Sequence, residues 1–490
     1  MKRSAIGTPG LLFLILTACG GGGDDTPPPT ELGTLAYVET ECRDTHGVFV
    51  ERQALRVRQG DREPVTVFET PEVGPVPNLG GLCPLWVGGR FGGESVSREA
   101  FQSVAVSPDG ASVAFEVSDD FSVNPPLPLH LPPQQKGIFW VRADGTGLRP
   151  LGPPSREPFF YVAPGPFTYV FVGLSFSPNG GTIVFADRGP DADGHEAAQV
   201  VTVDVATGTR TQVTRLPRAV PPPNYPLDAP TVYAPRFVDE RTISFYASAN
   251  PDGLNPEGIY LLMTAKTDGS GLEVPLPITV PLPGSQIELR FVITGDKPQA
   301  INAVLPGEPT NNPPLGGFPQ QIVEVFVIDE AKNALQLTNF RRVDTFGGGV
   351  DLDRQHVYFI ASADPLGTNP SENCQLFSID LLGSDLRQLT NFRETEHSMA
   401  GCSFNLRPKG CGLYLSSQDP TSRTLLFYSD CDPLGTNPNG GQIFAMQPDG
   451  SGLRQLTDSR GLVHEAPGAY SGSIPGPWAY GPWAYAPYVP

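Results

Sequence analysis

The chain has 490 residues, of which 55 are glycine and 55 are proline, while 17% are charged and 39% are hydrophobic. Proline cannot donate a hydrogen bond inside a helix or a central strand, so this composition excludes long helices and predicts many short strands joined by turns. The formal net charge of −19 disfavours nucleic acid as a partner, because like charges repel.

The N-terminus has the features of a secretion signal over residues 1–18. Two basic residues precede an apolar run at 11–16 that is too short to span a bilayer. The sequence Leu-Thr-Ala-Cys that ends at Cys19 resembles the bacterial lipobox, in which the cysteine carries a diacylglycerol and becomes residue one. This resemblance implies a lipid anchor at Cys19, and Gly20 after it implies the outer membrane of a bacterial cell envelope. The alternative is a plain signal peptide that leaves Cys19 as an ordinary thiol.

The rest of the chain divides into three predicted parts by composition. Residues 19–33 form a flexible tether rich in Gly, Asp and Pro. Residues 34–463 carry the repeats described below. Residues 464–490 form a tail rich in proline and aromatic residues, which reads as extended chain rather than a packed core.

Six cysteines remain once Cys19 is set aside, an even number that permits up to three disulfides in an oxidising compartment. Their spacing lacks the close pairs of a zinc site. Of the 15 possible connectivities, we expect Cys42 with Cys83, Cys402 with Cys411, and Cys374 with Cys431.

One hairpin recurs along the chain with Ser-Pro-Asp/Asn-Gly at its turn, as at 107–110 and 177–180. Proline presets the first turn position, Asp or Asn bonds its own backbone, and Gly takes a positive φ. A second hairpin carries Asp-Gly-x-Gly-Leu and often ends in Leu-Thr. In each hairpin one aromatic or apolar residue aligns between the copies, and we call it the register position. The register positions are Phe115, Phe185, Phe245, Phe359 and Phe427 for the first hairpin, and Phe139, Val201, Tyr260, Phe326, Phe377 and Phe444 for the second.

Two hairpins per period of about 60 residues give four strands per unit, the content of a propeller blade. Six units are complete, one with a degenerate first hairpin near Ile301, and residues 35–38 with a hairpin at Gly60 suggest a seventh. The hairpin pair resembles the WD40-like repeat of the TolB-type β-propellers over roughly residues 100–460. The predicted fold is therefore all-β, a propeller of six or seven four-stranded antiparallel blades, preceded by a lipoprotein signal peptide and tether.

A loop between the two hairpins also repeats, as Asp-Pro-Leu-Gly-Thr-Asn-Pro at 364–370 and 432–438 and as a looser copy at 250–256. Its oxygen-bearing side chains are candidates for a calcium site on one rim, namely Asp364, Asn369, Asp432, Asn437 and Asp252. The competing interpretation is a stiff turn that needs no ligand, since each copy offers few carboxylates. We expect no cofactor, with calcium as the alternative.

The resemblance is specific for fold and poor for function, since such propellers serve as docking platforms, as the propellers of peptidases and in surface lipoproteins. No G-x-S-x-G motif is present, and only 33 residues follow Thr457, too few for a hydrolase domain. We therefore expect a non-catalytic platform that binds envelope proteins, anchored to the membrane through Cys19. The alternative is an axial pocket that binds a cation or carbohydrate, or hydrolyses a small substrate as lactonase-like propellers do.

Overall fold

The computed structural model describes residues 33–45, 48–72, 101–118, 131–157, 160–162, 169–171, 173–220, 231–274, 278–281, 288–291, 299–305, 322–329, 331, 333–342, 345–350, 355–393, 413–418, 424–429, 431, 433–436, 442–458, 462–464 and 483–486. Within these ranges the regular structure consists of strands and two short 3₁₀ turns, Pro133–Gln135 and Pro251–Gly253. The prediction of an all-β fold is confirmed. None of the described segments is a helix able to cross a membrane.

The strands of the first half of the chain are β1 (Thr34–Thr45), β2 (Val48–Gln59), β3 (Val65–Glu69), β4 (Phe101–Val106), β5 (Ser112–Val117), β6 (Gly137–Arg142), β7 (Arg149–Gly152), β8 (Phe160–Val162), β9 (Tyr169–Phe171), β10 (Ser175–Phe176), β11 (Thr182–Pro190), β12 (Glu196–Asp204), β13 (Arg210–Gln212), β14 (Val232–Phe237), β15 (Thr242–Ala247) and β16 (Leu261–Lys266).

The strands of the second half are β17 (Ile278–Pro281), β18 (Glu288–Phe291), β19 (Gln299–Leu305), β20 (Ile322–Ile328), β21 (Ala334–Gln336), β22 (Thr345–Val350), β23 (His356–Ala361), β24 (Gln375–Asp380), β25 (Arg387–Gln388), β26 (Leu413–Gln418), β27 (Leu425–Ser429), β28 (Gln442–Met446), β29 (Arg454–Gln455), β30 (Leu462–His464) and β31 (Trp483–Ala486).

These strands form sheets whose sequence neighbours pair antiparallel. We number seven of them along the chain: sheet 1 (β1–β3), sheet 2 (β4–β7), sheet 3 (β10–β13), sheet 4 (β14–β16), sheet 5 (β19–β21), sheet 6 (β22–β25) and sheet 7 (β26–β29). Strands β8–β9 and β17–β18 form two-stranded ribbons. Sheets 2, 3, 6 and 7 have the four strands in sequence order that the hairpin repeat predicts.

The predicted turn chemistry is present at the first hairpin of sheet 2. Asp109 Oδ1 accepts the N–H of Ala111 at 3.0 Å and the hydroxyl of Ser107 at 2.5 Å, and Gly110 has φ +68°. Asn179 accepts the N–H of Gly181 at 2.8 Å in the same way in sheet 3. Local sequence therefore fixes where these strands reverse.

The predicted register positions form buried cross-strand pairs. Phe115 stacks on Phe139 with ring centroids 5.4 Å apart, and the same stacking joins the second and third strands in sheets 6 and 7. One prediction is wrong: Met263, and not Tyr260, lies opposite Phe245. Strand β16 begins only at Leu261, because a turn and its flanking residues occupy the chain up to Tyr260.

Within the described ranges, six interfaces link the sheets in the order 5, 6, 7, 1, 2, 3, 4, and each is lined by buried apolar side chains. The geometry of these interfaces repeats. The glycine of a third-to-fourth-strand turn packs at the last strand of the preceding sheet, or directly after it: Gly208 lies beside Leu151, Gly383 beside Leu337 and Gly450 beside Leu389. Sheets of this sequence therefore stack face to face with one recurring offset.

Sheet 1 joins the two ends of the chain. Strand β30 pairs parallel with β1, and β31 pairs antiparallel with β1 at Thr34–Tyr37. The guanidinium of Arg58 in β2 donates to the carbonyl of Leu456 at 2.5 Å, at the interface with sheet 7. The N-terminal sheet is thus an internal member of the stack, between the last sheet and sheet 2.

Candidate functional site

The repeated loop of sheet 6 bonds to itself. Asp364 Oδ1 accepts the N–H of Asn369 at 2.7 Å, and the amide of Asn369 donates to the carbonyls of Ala363 and Asn373, both at 2.8 Å. Asn369 is buried at 3% exposure. Its amide group thus supports the loop from within.

The looser copy in sheet 4 has the same construction. Asn255 donates to the carbonyls of Ala249 and Ile259 at 3.1 and 2.8 Å, and its N–H donates to Asn250 Oδ1 at 2.6 Å. Asp252 is exposed at the tip with φ +53°. These hydrogen bonds explain why both loops are stiff turns without a ligand.

Several predicted site residues lie outside the described residues, namely Cys19, Cys83, Cys402, Cys411, Asp432 and Asn437. Only the backbone of Cys42 is placed, on β1.

The corresponding loop of sheet 3 has a different sequence and brings three potential metal ligands together. Asp191, Asp193 and His195 each place one ligand atom within 4.8 Å of the others. Among the described residues, this is the group of three His, Cys, Asp or Glu side chains that could hold an ion. Neither Asp364 nor Asp252 belongs to such a group within the described part of the chain.

Two long strands hold this loop in place. Strands β11 and β12 pair up to Pro190 and Glu196, so the chain must reverse within residues 191–195. Asp191 Oδ1 accepts the N–H groups of Asp193 at 2.9 Å and His195 at 2.8 Å, and Gly194 takes φ +85°. The aspartate therefore organises the loop before any ligand binds.

The electrostatics keep Asp191 ionised. Burial raises its pKa, but the N–H groups of His195 and Asp193 and the charge of His195 outweigh that effect and hold the pKa below its ordinary value. The side chain of Asp191 is 6% exposed, whereas that of His195 is 73% exposed and lies with Nδ1 3.7 Å from Asp191 Oδ2. The group thus combines a buried carboxylate held by hydrogen bonds with an imidazole that is open to solvent.

Sequence reasoning placed its cation candidates in the repeated rim loop and missed this group. The signal was present as Asp-Ala-Asp-Gly-His, with three potential ligands in five residues between two long strands. A search for longer motifs, such as the EF-hand or H-E-x-x-H, does not find so short a pattern.

A buried polar cluster lies nearby, between sheets 2 and 3. Glu116 is 1% exposed and accepts the N–H of Ser155 at 2.8 Å, while Arg210 contacts Asp187 at 3.1 Å. Burial raises the pKa of Glu116 to about 8; the N–H of Ser155 and the charge of Arg210 act in the opposite direction. Glu116 Oε2 and Arg210 Nε have no hydrogen-bond partner among the described residues. This carboxyl is therefore mostly protonated at neutral pH and inaccessible to a soluble substrate.

Cys374 and Cys431 are both disulfide-bonded. Both are fully buried in one hydrophobic cluster that joins sheets 6 and 7. Disulfides of this kind persist in oxidising compartments and are rare where thiols are kept reduced.

Comparison with known proteins gives fold relatives only. No protein-family model and no curated protein matches the chain. Among solved structures it is similar to a prolyl endopeptidase (11% identity, 86% of this chain and 49% of that chain, TM-score 0.38). It is also similar to dipeptidyl peptidase 4 of Porphyromonas gingivalis (12%, 88% and 52%, 0.36) and a putative TolB from Agrobacterium tumefaciens (11%, 87% and 89%, 0.27).

The chain spans about half the length of these two peptidases. The neighbours as a group are propeller-like proteins, which agrees with the coarser part of the fold prediction. At these identities and TM-scores the likeness concerns fold class and transfers no reaction to this chain.

The same matches correct the sequence-based view of function. Several of the structures matched are peptidases, and this finding goes against the expectations of a non-catalytic protein-binding platform and of a chain that is not an enzyme. Those expectations rested on missing hydrolase motifs. Hairpin repeats specify a scaffold, and the same scaffold carries different chemistries in different proteins.

Proposed function

We propose that this protein is an exported, lipid-anchored β-propeller that binds a divalent cation on the loop 191–195 and uses it to bind a small soluble ligand. The observation that carries the proposal is the convergence of Asp191, Asp193 and His195 within 4.8 Å. Two carboxylates and one imidazole form a ligand set that divalent metal ions accept.

The ligand types favour a first-row cation such as Zn²⁺ or Mn²⁺ over calcium. Calcium takes six to eight oxygen ligands, whereas an imidazole nitrogen suits zinc and its neighbours. The rim loops with Asp364 and Asn369 are weaker candidates, since their polar groups already bond within the loop.

Hydrolysis is a second candidate use of the same site. Three protein ligands leave coordination positions open, and the exposure of His195 leaves those positions facing solvent. A cation held in this way polarises a bound carbonyl or activates water. We infer that any such substrate is small and oxygen-bearing.

The proposed propeller consists of six or seven blades of the TolB type closed into a ring. Its support is the six consecutive interfaces with a repeating offset, together with the pairing of β30 and β31 with β1. Closing the ring would leave only short, protected sheet edges. The proposed cellular location is the outer membrane, and the lipobox-like sequence at Cys19 supports it.

Titration calorimetry on the metal-stripped mature chain tests the cation site. We expect one equivalent of Zn²⁺ or Mn²⁺ to bind, and expect Asp191→Asn and His195→Gln each to weaken binding by at least about tenfold. Asp268→Asn is the matched control, because Asp268 supports a similar turn through the N–H of Ser270 at 2.9 Å without a neighbouring histidine. Absence of binding, or equal binding by all variants, overturns the proposal.

A further inference from the structure

One end of the stacked sheets carries exposed apolar side chains. We call it the turn face and define it by the described residues of the turns 60–64, 107–111, 143–148, 177–181, 205–209, 238–241, 267–272, 329–333, 381–386 and 447–453. Among the described residues, the exposed apolar side chains at or beside these turns are Val65 (41%), Leu148 (45%), Val238 (60%), Leu272 (38%), Leu335 (41%) and Leu382 (82%). They come from sheets 1, 2, 4, 5 and 6.

Contacts between neighbouring sheets show that the turns share one face. The guanidinium of Arg149 donates to the carbonyl of Val205, which joins the turns of sheets 2 and 3. Asp61 in sheet 1 lies 3.8 Å from Arg454 in sheet 7. A side chain at Gly145 would meet Val65 at 3.2 Å, so the turns of sheets 1 and 2 also touch.

The N-terminal segment leaves the domain from this same face. Thr34 begins β1, and its hydroxyl donates to the carbonyl of Gly110 at 2.8 Å, within a turn of sheet 2. The N–H of Gly60 donates to the carbonyl of Gly33 at 3.1 Å, at a turn of sheet 1. The start of the described chain is therefore held between two turns of the turn face.

The distance to the proposed anchor is limited by the chain. Thirteen residues lie between Cys19 and Gly33, and a fully extended chain over those fourteen steps reaches about 50 Å at most. The described chain begins at the turn face, so this is the face nearer to the Cys19 anchor along the chain. This confinement raises the effective concentration of weak surface contacts.

We propose that the turn face docks on the surface of the bilayer that holds the Cys19 anchor, with its exposed Leu and Val side chains in the headgroup region. Apolar side chains at the membrane interface favour such contact. The inference rests on the proposed anchor. On the turn face Arg387 pairs with Asp385 at 2.7 Å, while the exposed carboxylates of Asp144 and Asp268 accept hydrogen bonds from Thr146 and Ser270 within their own turns. We therefore expect docking on zwitterionic lipid without a requirement for anionic lipid.

Fluorescence quenching on the full-length lipidated chain in phosphatidylethanolamine–phosphatidylcholine vesicles tests the inference. Leu382→Cys and Leu148→Cys would each carry an environment-sensitive dye. Leu366→Cys is the matched control, because Leu366 is 45% exposed on the opposite face, in the loop between β23 and β24. We expect spin-labelled lipid to quench the dyes at 382 and 148 at least several-fold more than the dye at 366. Equal quenching, or stronger quenching at 366, overturns the inference.

The mass of the purified chain separates the two proposals. A chain without acyl groups at Cys19 overturns both the anchor and the docking. An acylated chain with an unquenched turn face leaves the anchor in place and overturns the docking. Protection of position 382 from aqueous quencher in native membranes but not in vesicles shows that a protein covers this face, and likewise overturns docking on lipid.

Discussion

The backbone N–H of His195 lies 2.8 Å from Oδ1 of Asp191, while the imidazole Nδ1 of the same residue faces Oδ2 of Asp191 at 3.7 Å. One carboxylate oxygen therefore supports the loop, and the other points to a potential metal ligand. Because the two oxygens of Asp191 have different partners, mutation can separate its structural role from its role in binding.

We expect Asp191→Ala to lower the free energy of unfolding by about 1–2 kcal/mol, since two N–H groups lose their acceptor. Asp191→Asn keeps an Oδ1 acceptor, so it should retain most of that stability while losing cation affinity. Urea unfolding of the metal-free chain measures the difference. Asp193→Ala, at an exposed position, is the control and should stay within about 0.5 kcal/mol. Equal losses for Asn and Ala at 191 would contradict this account.

Glu116 makes stability depend on pH. Its pKa is about 8 in the folded chain against an ordinary 4.5, so between these values the unfolded chain releases a proton that the folded chain retains. The free energy of unfolding should therefore fall as pH rises from 4.5 to 8, by at most about 1.4 kcal/mol per pH unit from this group.

Glu116→Gln removes this dependence while its amide oxygen still accepts the N–H of Ser155. We expect the stability gain of the variant over the wild type to grow from pH 5 to pH 8, measured by urea unfolding. Glu240→Gln, at an exposed turn position, is the control and should show a constant difference. Parallel profiles for Glu116→Gln and wild type would show that this carboxyl does not hold its proton.

The repeated rim loop should depend on its asparagine rather than on calcium. Asn369→Ala removes two donors to buried carbonyls, and we expect a loss of about 1–3 kcal/mol. Thr368→Ala, at an exposed neighbour, should lie within about 0.5 kcal/mol of wild type. Adding calcium should leave the Asn369→Ala deficit unchanged in thermal unfolding. A deficit that appears only with calcium would favour a cation in the loop.

The pairing of Cys374 with Cys431 stays a prediction that peptide mapping without reduction can test. Both cysteines are disulfide-bonded and buried in the same cluster. If they pair, Cys374→Ser and Cys431→Ser should each cost about 2–5 kcal/mol, and the double variant should cost little more than either. Additive losses would indicate that the two cysteines have different partners.

The positions at which strands reverse were predicted correctly where the turn residues lie close together in the sequence. The turn at Asp109 is an example: the acceptor, its donors and the glycine lie within five residues, so the bonding is decided before any distant segment arrives. The error at Tyr260 has the opposite cause, since the end of an irregular loop is not marked by periodicity.

Contacts between sheets could not be predicted in this way. Arg210 and Glu116 are 94 residues apart, and Thr34 bonds Gly110 across 76 residues. No pattern in the local sequence of either pair indicates its partner. The amino-acid sequence by itself determined the hairpins, because turn bonds and pleated alternation are short-range. The tertiary structure alone decided which faces meet, which carboxyl loses its water, and that the N-terminus leaves from the turn face, because desolvation and packing depend on the stacking of whole sheets.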